Sequence, residues 1–403
     1  MFNFPNFVKT RVMVSVEEAF SMISEATNGL GVIEMELRNA IGFVLAEDYI
    51  STLSFPPFDQ SAMDGYAVNN KDDQREFLVV NELKAGDSAS AITLRNGEAC
   101  RIFTGAMLPI NTIAVVKQED VVRIDSTIQV ERPIARGENI RLCGEQINDG
   151  EVAVLANTVL NPGAIGFLST LGVKNVKVYR KPKIAIIATG NELITAGSKL
   201  EIGKIFESNT NTLISALSVY GFQATAEVVE DSYNLIRQKI EEAINSNDLV
   251  LITGGISVGD YDFVGKILHD LNVEEKFYKV KQKPGKPLFF GFKGETIVFA
   301  LPGNPAAVLT SFYMYVLHAL AGLTGRKTGY LTHKKVKLSV RFEKSPNLTF
   351  LLKGKIENDH VTILPAQSSA MLSSFIEADC LIRLNENKAI WEKDELVDVY
   401  TIQ

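Results

Sequence analysis

The chain has 403 residues, of which 46% are hydrophobic. This length exceeds what one hydrophobic core usually holds, so about two to four domains are expected. Lys and Arg total 41 against 48 Asp and Glu, and a net charge of −7 with a pI near 5.4 gives no electrostatic footprint for DNA or RNA. Nucleic acid is therefore not expected as a partner.

The cysteines and the apolar runs indicate the compartment. Cys100, Cys143 and Cys380 lie far apart without a CxxC pair, which predicts neither a disulfide framework nor a zinc knuckle. The N-terminus lacks a basic stretch followed by an apolar one, and no apolar run approaches the roughly 18 residues that span a bilayer. We expect a soluble, cytoplasmic protein without a membrane segment.

The first predicted elements are helical. A serine cap and apolar spacing predict a helix over residues 15–26, and a second helix-like segment covers 36–45. Two prolines within 55–58 then forbid regular structure and indicate a change of domain. Between residues 64 and 150, short β-rich segments punctuated by glycines predict a small inserted β domain.

After Lys181 the pattern changes to strands that alternate with helices, the signature of a parallel sheet with crossovers. From about residue 331, alternating patterns predict a small β domain. The expected fold is multidomain α/β plus β, with a central three-layer α/β/α domain. The four predicted domains are a discontinuous N-terminal domain (1–50 and 150–180), a small β-rich domain (51–149), an α/β domain (181–327) and a C-terminal β-barrel-like domain (328–403).

The stretch 251–262 runs from an apolar strand into a glycine-rich turn that carries hydroxyls and carboxylates. Gly254 and Gly255 allow the positive φ and the close backbone approach that a phosphate-like ligand needs, and Ser257 adds a hydroxyl. Asp262 stands where such a ligand would meet a cation. Taken alone, the stretch is equally well explained as a strand-to-helix loop with acidic N-cap residues.

Acidic residues also follow two other predicted strands, where Glu192 and Asp231 stand. Ligands of open parallel sheets gather at the carboxyl ends of the strands, so these residues are expected to converge with Asp262. Glycine-rich turns donate backbone N–H groups to anions, and Mg²⁺ is typically held by one or two carboxylates plus phosphate and water. The pattern predicts a nucleotide-like phosphate with Mg²⁺, although each acid taken singly is also explained as a helix N-cap.

A run of lysines gives an independent signal. The period of two in a strand would put Lys279, Lys281 and Lys283 on one face, and Lys286 follows in a Pro-Gly-Lys-Pro turn. A solvated edge strand would tolerate these charges, but the turn and the apolar strand after it favour a cationic cradle for oxyanions. The rigid turn 301–305, with Pro302 and Pro305, opens a helix and would wall the same pocket.

Two polar stretches around Asp64 and Thr104 lie in a different predicted domain. Turn chemistry explains much of their composition; if they serve the pocket, they reach it across a domain boundary or from a second subunit. The four histidines are scattered without ligand spacing, and no Ser-His-Asp or Cys-His arrangement is visible.

With these motifs assembled, the chain resembles the molybdopterin molybdenumtransferases, the MoeA family of molybdenum cofactor biosynthesis, and is similar to the E domain of gephyrin. The resemblance covers essentially the full length, and no single motif would suffice for it. The motifs are FDQSAMDGYAV (58–68), TGA (104–106), NIRLCGE (139–145), TGNEL (189–193), GGISVGDYD (254–262), KPGKP (283–287), LPGNP (301–305) and SSF (373–375).

The resemblance implies an elongated homodimer of four-domain subunits, with each active site between the α/β domain of one subunit and the small β domain of the other. It implies that adenylylated molybdopterin and molybdate bind, and that Mg²⁺-assisted cleavage of the phosphoanhydride releases AMP as the metal oxyanion is placed on the dithiolene. Transient contacts with the adenylylating enzyme and with apo-molybdoenzymes are implied as well.

The resemblance also assigns roles to individual residues of this chain. Glu192, Asp231 and Asp262 would handle Mg²⁺ and water, while Lys279, Lys283 and Lys286 would neutralise pyrophosphate and molybdate. The full set of expected catalytic and binding residues is Asp64, Thr104, Glu192, Asp231, Gly254, Gly255, Ser257, Asp262, Lys279, Lys283, Lys286, Pro302, Pro305, Lys353 and Ser369.

Three positions depart from the family pattern. Gln146 stands where many members have an acidic residue, so that this carboxylate role is missing or moves to Glu145. Lys353 stands where the family has an arginine near molybdate; it keeps the positive charge but cannot make the bidentate contact of a guanidinium group. Residues 368–370 stand where the family more usually has a glycine-serine pair. Weaker oxyanion binding is expected, which Lys353→Arg would strengthen.

Two other functions compete with this interpretation. Adenylylation of molybdopterin, the preceding step, would use an α/β domain of the same kind, but the attached β domains argue against it. A non-catalytic scaffold is permitted by the gephyrin resemblance, but the retention of Glu192, Asp231 and Asp262 argues against that role.

Overall fold

The structure is a computed structural model, and it describes residues 13–71, 74–256 and 263–402. The chain divides into two compact units. The large unit comprises residues 13–33, 42–46 and 178–402, and the small unit comprises 34–41 and 47–177. The finer division into four domains stays a prediction.

The helices of the described ranges fall at most of the expected positions. They are α1 Val16–Ala26, α2 Pro162–Thr170, α3 Asn209–Val219, α4 Tyr233–Ser246, α5 Phe263–Asp270 and α6 Pro305–Leu323. The first begins with the cap read from the sequence, because Ser15 Oγ accepts from Glu18 N (3.1 Å) and Glu18 Oε2 accepts from Ser15 N (2.6 Å).

The prediction of a helix over residues 36–45 is wrong. The structure has a strand, Val32–Glu36, followed by one 3₁₀ turn, Leu37–Asn39. Gly42 then takes φ of +76°, a left-handed conformation that a helix cannot continue through. Apolar spacing alone therefore predicted a helix where Asn39 and Gly42, two poor helix formers, interrupt the segment.

The small unit is built on a six-stranded sheet. Its strands are β1 Gly65–Val68, β2 Glu76–Leu83, β3 Glu98–Ile102, β4 Ala114–Lys117, β5 Val121–Ile124 and β6 Thr127–Val130. Their order is β4-β1-β3-β2-β6-β5, with β2 and β3 parallel and the other neighbours antiparallel. Tyr66 and Val68 enter one core cluster while Ala67 enters another, so both faces of β1 are covered.

Shorter strands complete the connections. In the small unit, Gln60–Ser61 pairs with Ile140–Arg141, and Tyr49–Ile50 pairs with Val152–Val154. In the large unit, Leu193–Ile194 pairs with Ile205–Phe206, and Phe342–Glu343 pairs with Ile390–Trp391. Strands Val32–Glu36 and Asn175–Tyr179 occur where the chain passes from one unit to the other.

The large unit contains a mixed six-stranded sheet. Its strands are β7 Ile184–Thr189, β8 Ala224–Val229, β9 Leu249–Thr253, β10 Glu274–Lys279, β11 Pro287–Lys293 and β12 Thr296–Leu301, in the order β8-β7-β9-β12-β11-β10. The first four in that order are parallel, as expected, and the last two are antiparallel.

Burial on both faces explains the apolar runs of this sheet. Ile186 and Leu251 face a core with residues of α1, α3 and α6, whereas Ile187 and Val250 face a core with α4 and α5. This arrangement is the three-layer architecture predicted from the sequence. The expectation that no apolar run approaches membrane-spanning length is wrong, because helix α6 is apolar and long enough to cross a membrane. However, 83% of that stretch is buried inside the protein, as in a core helix.

The C-terminal strands close into a barrel. They are β13 Thr332–Leu338, β14 Thr349–Glu357, β15 His360–Ile363, β16 Cys380–Leu384 and β17 Leu396–Thr401. The order β14-β15-β13-β17-β16 returns to β14, which confirms the barrel-like prediction. A two-residue strand, Gln282–Lys283, pairs with the start of β14. The barrel therefore joins the segment that follows β10.

Candidate functional site

A cavity of about 920 Å³ lies in the large unit at the carboxyl ends of the four parallel strands, where open α/β sheets bind ligands. Its lining includes residues that follow β7, β8, β9 and β12, together with residues of the barrel. They are Thr189, Gly190, Glu192, Asp231, Gly254, Gly255, Ile256, Phe263, Gln282, Lys283, Pro284, Gly285, Lys286, Pro287, Pro302, Gly303, Asn304, Ala307, Leu348, Gln367, Ser368 and Ser369.

Two glycines after β9 are required by close packing against β7 and α5. Gly254 and Gly255 have φ of +90° and +61°. A Cβ on Gly254 would lie 2.3 Å from Thr189 O, and one on Gly255 would lie 2.8 Å from Val264 Cγ2. The buried Thr189 Oγ1 has no hydrogen-bond partner in the described part of the chain, so the cavity wall carries a polar atom for a ligand or water to satisfy.

The acidic side of the cavity is fixed by contacts between strand ends. Asn191 N donates to Asp231 Oδ2 (3.1 Å), and Asp231 N donates to Asn191 Oδ1 (2.9 Å). Glu192 folds back over Gly190, where an added Cβ would lie 2.7 Å from Glu192 Oε2. The carboxylates of Glu192 and Asp231 are thereby brought to one lining, as the sequence predicts.

The residues of this acidic side fit a hard cation in part. Within the ranges described, no group of three His, Cys, Asp or Glu side chains is arranged to hold a metal. Asp262, the third expected ligand, lies outside the described residues, as does Ser257. Two carboxylates still match the donor set of Mg²⁺, which takes phosphate and water for its remaining positions.

The lysine turn also contributes to the lining, and it differs from the expected strand. Strand β10 ends at Lys279, the chain bends at Lys281, and the next two residues pair with β14. Lys283 and Lys286 line the cavity, whereas Lys279 and Lys281 do not. The charge of Lys281 acts on α1 instead. Hydrogen bonds from Ser15 lower the pKa of the Glu18 carboxyl, and the positive charge of Lys281 lowers it further.

The lysine turn is held in place from behind. Gln282 Nε2 donates to Gly285 O (3.0 Å), and the buried Tyr315 hydroxyl of α6 donates to Gln282 Oε1. Lys283 Nζ lies 5.3 Å from the centroid of the Phe350 ring in β14, within cation–π range. The backbone of the turn is thus fixed while both cavity lysines stay exposed.

The turn between β12 and α6 forms a further wall. Pro302 lines the cavity, and its carbonyl accepts from Thr253 Oγ1 (3.1 Å). Pro305 is not in the lining; it is the first residue of α6, where a missing N–H costs nothing. Asn209 Nδ2 donates to Gly303 O (2.9 Å), which ties α3 to the same turn.

Ser369 reaches this turn from the barrel. Its carbonyl accepts from Ala306 N (2.9 Å) and Ala307 N (3.2 Å), and Asn304 Nδ2 donates to its Oγ (2.8 Å). The first turn of α6 is therefore capped by a residue more than sixty positions further along the chain. The cap uses the helix donors that would otherwise be open to an anion.

Lys353 does not line the cavity. Its side chain is 1% exposed, and Nζ donates to Ala366 O (2.7 Å) and Met371 O (3.2 Å). Burial lowers the pKa of this ammonium group. The direct oxyanion contact expected for Lys353 is therefore not the geometry found, because the ammonium group is buried away from the cavity lining and points to two carbonyls.

Asp64 and Thr104 lie together in the small unit. Thr104 donates to Asp64 Oδ1 from both its backbone N (2.8 Å) and its Oγ1 (2.7 Å). These bonds, the backbone one first, lower the pKa of the Asp64 carboxyl. Glu145, the residue beside the departure at Gln146, accepts from Leu142 N (3.0 Å) and so caps a local turn.

Several lining residues were not singled out from the sequence. Gln282 stands between Lys281 and Lys283. It is buried and neither lysine is, as the period of two in an extended segment predicts. Asn304 stands inside the LPGNP turn and was available as a polar side chain there. Leu348 and Gln367 belong to no charge or turn pattern, and only the closed barrel brings them to the cavity.

Fold and cavity together define a multidomain α/β enzyme with a ligand site at the ends of its parallel strands. Three family descriptions match the chain in order: "MoeA N-terminal region (domain I and II)" over residues 14–172, "Probable molybdopterin binding domain" over 185–322, and "MoeA C-terminal region (domain IV)" over 335–402. The chain belongs to the MoeA family, which confirms the resemblance.

Curated relatives agree with the family. A molybdopterin molybdenumtransferase of Staphylococcus epidermidis is 32% identical over 97% of this chain and 96% of its own length, and one of Staphylococcus aureus is 31% identical with the same coverage. The structure of the molybdopterin biosynthesis MoeA protein of Pyrococcus horikoshii is similar with a TM-score of 0.84, 31% identity, and coverage of 97% of this chain and 100% of that one. The chain is accordingly a transferase of molybdenum cofactor biosynthesis.

Proposed function

We propose that the protein inserts molybdate into adenylylated molybdopterin with Mg²⁺-dependent release of AMP. The observation that carries this proposal is the cavity, whose lining combines the carboxylates of Glu192 and Asp231 with the ammonium groups of Lys283 and Lys286. Family membership supports a molybdopterin-related substrate. A polyanion that contacts both a bound cation and lysines fits a lining that carries both kinds of charge.

The reaction breaks the phosphoanhydride bond of the adenylylated substrate. Water adds to the molybdopterin phosphorus and AMP leaves with the bridging oxygen. The two dithiolene sulfurs bind molybdenum, and one molybdate oxygen leaves as water with the two thiol protons. Bound Mg²⁺ would supply positive charge at the phosphate oxygens. Glu192 and Asp231 would hold that cation, together with Asp262.

The other residues of the cavity would bind and orient. Lys283 and Lys286 would neutralise molybdate and phosphate oxygens, and their fixed backbone would lower the reorganisation needed as charge develops. The backbone at Gly254 and Gly255 would approach the anion closely, because no side chain intervenes. Thr189 Oγ1 would find in the ligand, or in its water, the partner it lacks.

We further propose that the protein acts as a homodimer. Asp64 and Thr104 of a second copy would complete each site, with the Asp64 carboxylate held in its charged form by Thr104. Transient contacts with the adenylylating enzyme and apo-molybdoenzymes, and a cytoplasmic location, belong to the same proposal. Sedimentation of the purified protein tests the dimer; a monomer at assay concentration contradicts it.

A substrate-partition assay tests the proposed function. The protein is supplied with adenylylated molybdopterin, molybdate and Mg²⁺, and in parallel with molybdopterin, ATP and Mg²⁺. We expect AMP and molybdenum-loaded cofactor in the first reaction, abolished by a chelator, and no adenylylated product in the second. Product in the second reaction alone would identify the adenylylation step, and turnover in neither would leave the scaffold role.

A further inference from the structure

Lys353 of β14 is a buried cation held by neutral groups. Its ammonium group donates to Ala366 O and Met371 O, and Nζ lies 5.6 Å from the centroid of the Phe375 ring. At 1% exposure the side chain has lost almost all its water. Two carbonyls and an aromatic face are the contacts that offset this loss.

Both carbonyls belong to one segment, residues 366–371, which we call the serine loop because it carries Ser368 and Ser369. Lys353 therefore binds the first and the last residue of the loop. The backbone of Lys353 adds two more bonds, because its N donates to Gln367 Oε1 (3.0 Å) and its O accepts from Gln367 Nε2 (2.8 Å). Ala366 takes φ of +57°, an unfavourable conformation for alanine that these contacts help to hold.

The far side of the serine loop contacts helix α6. Ser369 O is the acceptor for Ala306 N, and Ser369 Oγ bonds to Asn304. Ser368 and Ser369 line the cavity at this point. A continuous series of contacts thus runs from the Lys353 ammonium group through the serine loop to the cavity wall.

We propose that Lys353 is a positioning residue whose ammonium group holds the serine loop against the first turn of α6, so that Ser368 and Ser369 shape the oxyanion end of the cavity. The oxyanion is molybdate only if the proposed function is correct; the positioning itself does not depend on it. Direct contact with an oxyanion would require the ammonium group to move out of its buried position, because Lys353 does not reach the cavity lining. The arginine fork expected at this position is therefore not what the loop needs.

The Ala306 amide provides a reporter of loop docking. Ala306 is fully buried, and Ser369 O accepts its N–H at 2.9 Å. Ala307 has a second acceptor in Asn304 O (3.0 Å), so its amide is less sensitive to the loop. Release of the serine loop would expose the Ala306 N–H to exchange while leaving the rest of α6 protected.

The test compares Lys353→Met with Lys181→Met. Lys181 also donates to a carbonyl, Gly221 O (2.7 Å), and also lies over an aromatic ring, but it is not in the cavity lining. We expect Lys353→Met to speed Ala306 exchange and to weaken molybdate binding by about tenfold, the usual effect of losing a residue behind a binding group. We expect Lys181→Met to do neither. Unchanged Ala306 exchange in Lys353→Met would overturn the proposal.

Lys353→Arg keeps the cation and serves as a second variant if Lys353→Met does not fold. Its longer planar group cannot occupy the same point between two carbonyls, so we expect faster Ala306 exchange and no tightening of molybdate. Tighter molybdate binding, measured by calorimetry, would show direct contact and overturn the proposal. If the wild-type protein bound no molybdate while Ala306 exchange still responded, the proposed function would fail and the positioning role would stand.

Discussion

The two sides of the cavity differ in how their side chains are fixed. On the strand-end side, Asp231 is held by Asn191 and Glu192 folds over Gly190, so the contacts lie within the loops that follow β7 and β8. On the barrel side, Lys283 stacks on Phe350 and Ser369 caps α6, contacts that join segments about sixty-five residues apart. The positions of the acidic residues are thus set by loops of the sheet, whereas the positions of the basic residues depend on the closed barrel.

This difference predicts two kinds of effect for substitutions in the cavity. A change on the strand-end side should disturb the fold of the sheet edge and the chemistry together, because the same short loops serve both. A change on the barrel side should loosen oxyanion binding while the sheet remains intact. The following predictions test this separation, in order of decreasing expected effect.

Gly254→Ala should have the largest effect. Its new Cβ would lie 2.3 Å from Thr189 O at a φ of +90°, so the edge of the sheet must shift. We expect a loss of more than about 1 kcal/mol in the free energy of unfolding from φ alone, with the clash added, and no detectable AMP release. Urea unfolding and the AMP assay check this.

Gly197→Ala is the matched control for that change. Gly197 has the same φ of +90° but no heavy atom within 4 Å of an added Cβ. It should lose stability by about 1 kcal/mol and keep its activity, because only the conformational cost remains. Equal losses in the two variants would show that close packing at Gly254 is unimportant.

Lys283→Met should weaken binding without changing stability. A charge-assisted hydrogen bond contributes about 1.5–3 kcal/mol, so molybdate affinity should fall roughly 10- to 100-fold. Lys281→Met is the control, because this neighbouring lysine is not in the cavity lining. Calorimetric titration separates them; a similar loss in both variants would mean that net charge, rather than the position of Lys283, controls affinity.

Phe350→Leu should have a smaller effect of the same kind. The variant keeps Lys283 but removes the ring beneath it, and an exposed cation–π contact is worth about 0.5–1 kcal/mol, or a roughly two- to fivefold loss of affinity. Phe350→Tyr keeps the ring and should bind like the wild type. If Phe350→Leu also binds normally, the Phe350 ring does not position Lys283.

A change of ionisation is the smallest effect predicted. Thr104→Val removes the hydroxyl that donates to Asp64, so the pKa of this carboxyl should rise toward its ordinary value. Because the folded pKa is lowered, the stabilising contribution is complete above the unfolded pKa and is lost as pH falls through the folded one. Carboxyl NMR titration should give a higher Asp64 pKa in the variant, and an unchanged value would contradict the cause assigned here.

The same division decides what the sequence could predict. The serine cap of α1, the alternation of strands and helices after Lys181 and the glycine turn at Gly254 follow from local patterns, and the structure has them. The convergence of Glu192 and Asp231 follows from the rule that parallel strands end at one edge. These features need no knowledge of distant contacts.

The barrel side could not be predicted in this way. Alternation predicted one lysine-bearing strand, but pairing of Gln282–Lys283 with β14 ends it at Lys279. Lys353 was expected at the oxyanion, but the serine loop captures its ammonium group. Each error concerns a contact that exists only after the barrel has closed.

The rate of AMP release from adenylylated molybdopterin, with molybdate and Mg²⁺ present, tests the central claim most directly when Asp231→Asn is compared with Glu230→Gln. The two acids are adjacent, but only Asp231 lines the cavity. We predict a loss of roughly 100-fold or more for Asp231→Asn, since a preorganised charge at the reacting group is removed, and a wild-type rate for Glu230→Gln. A wild-type rate in Asp231→Asn would contradict the account.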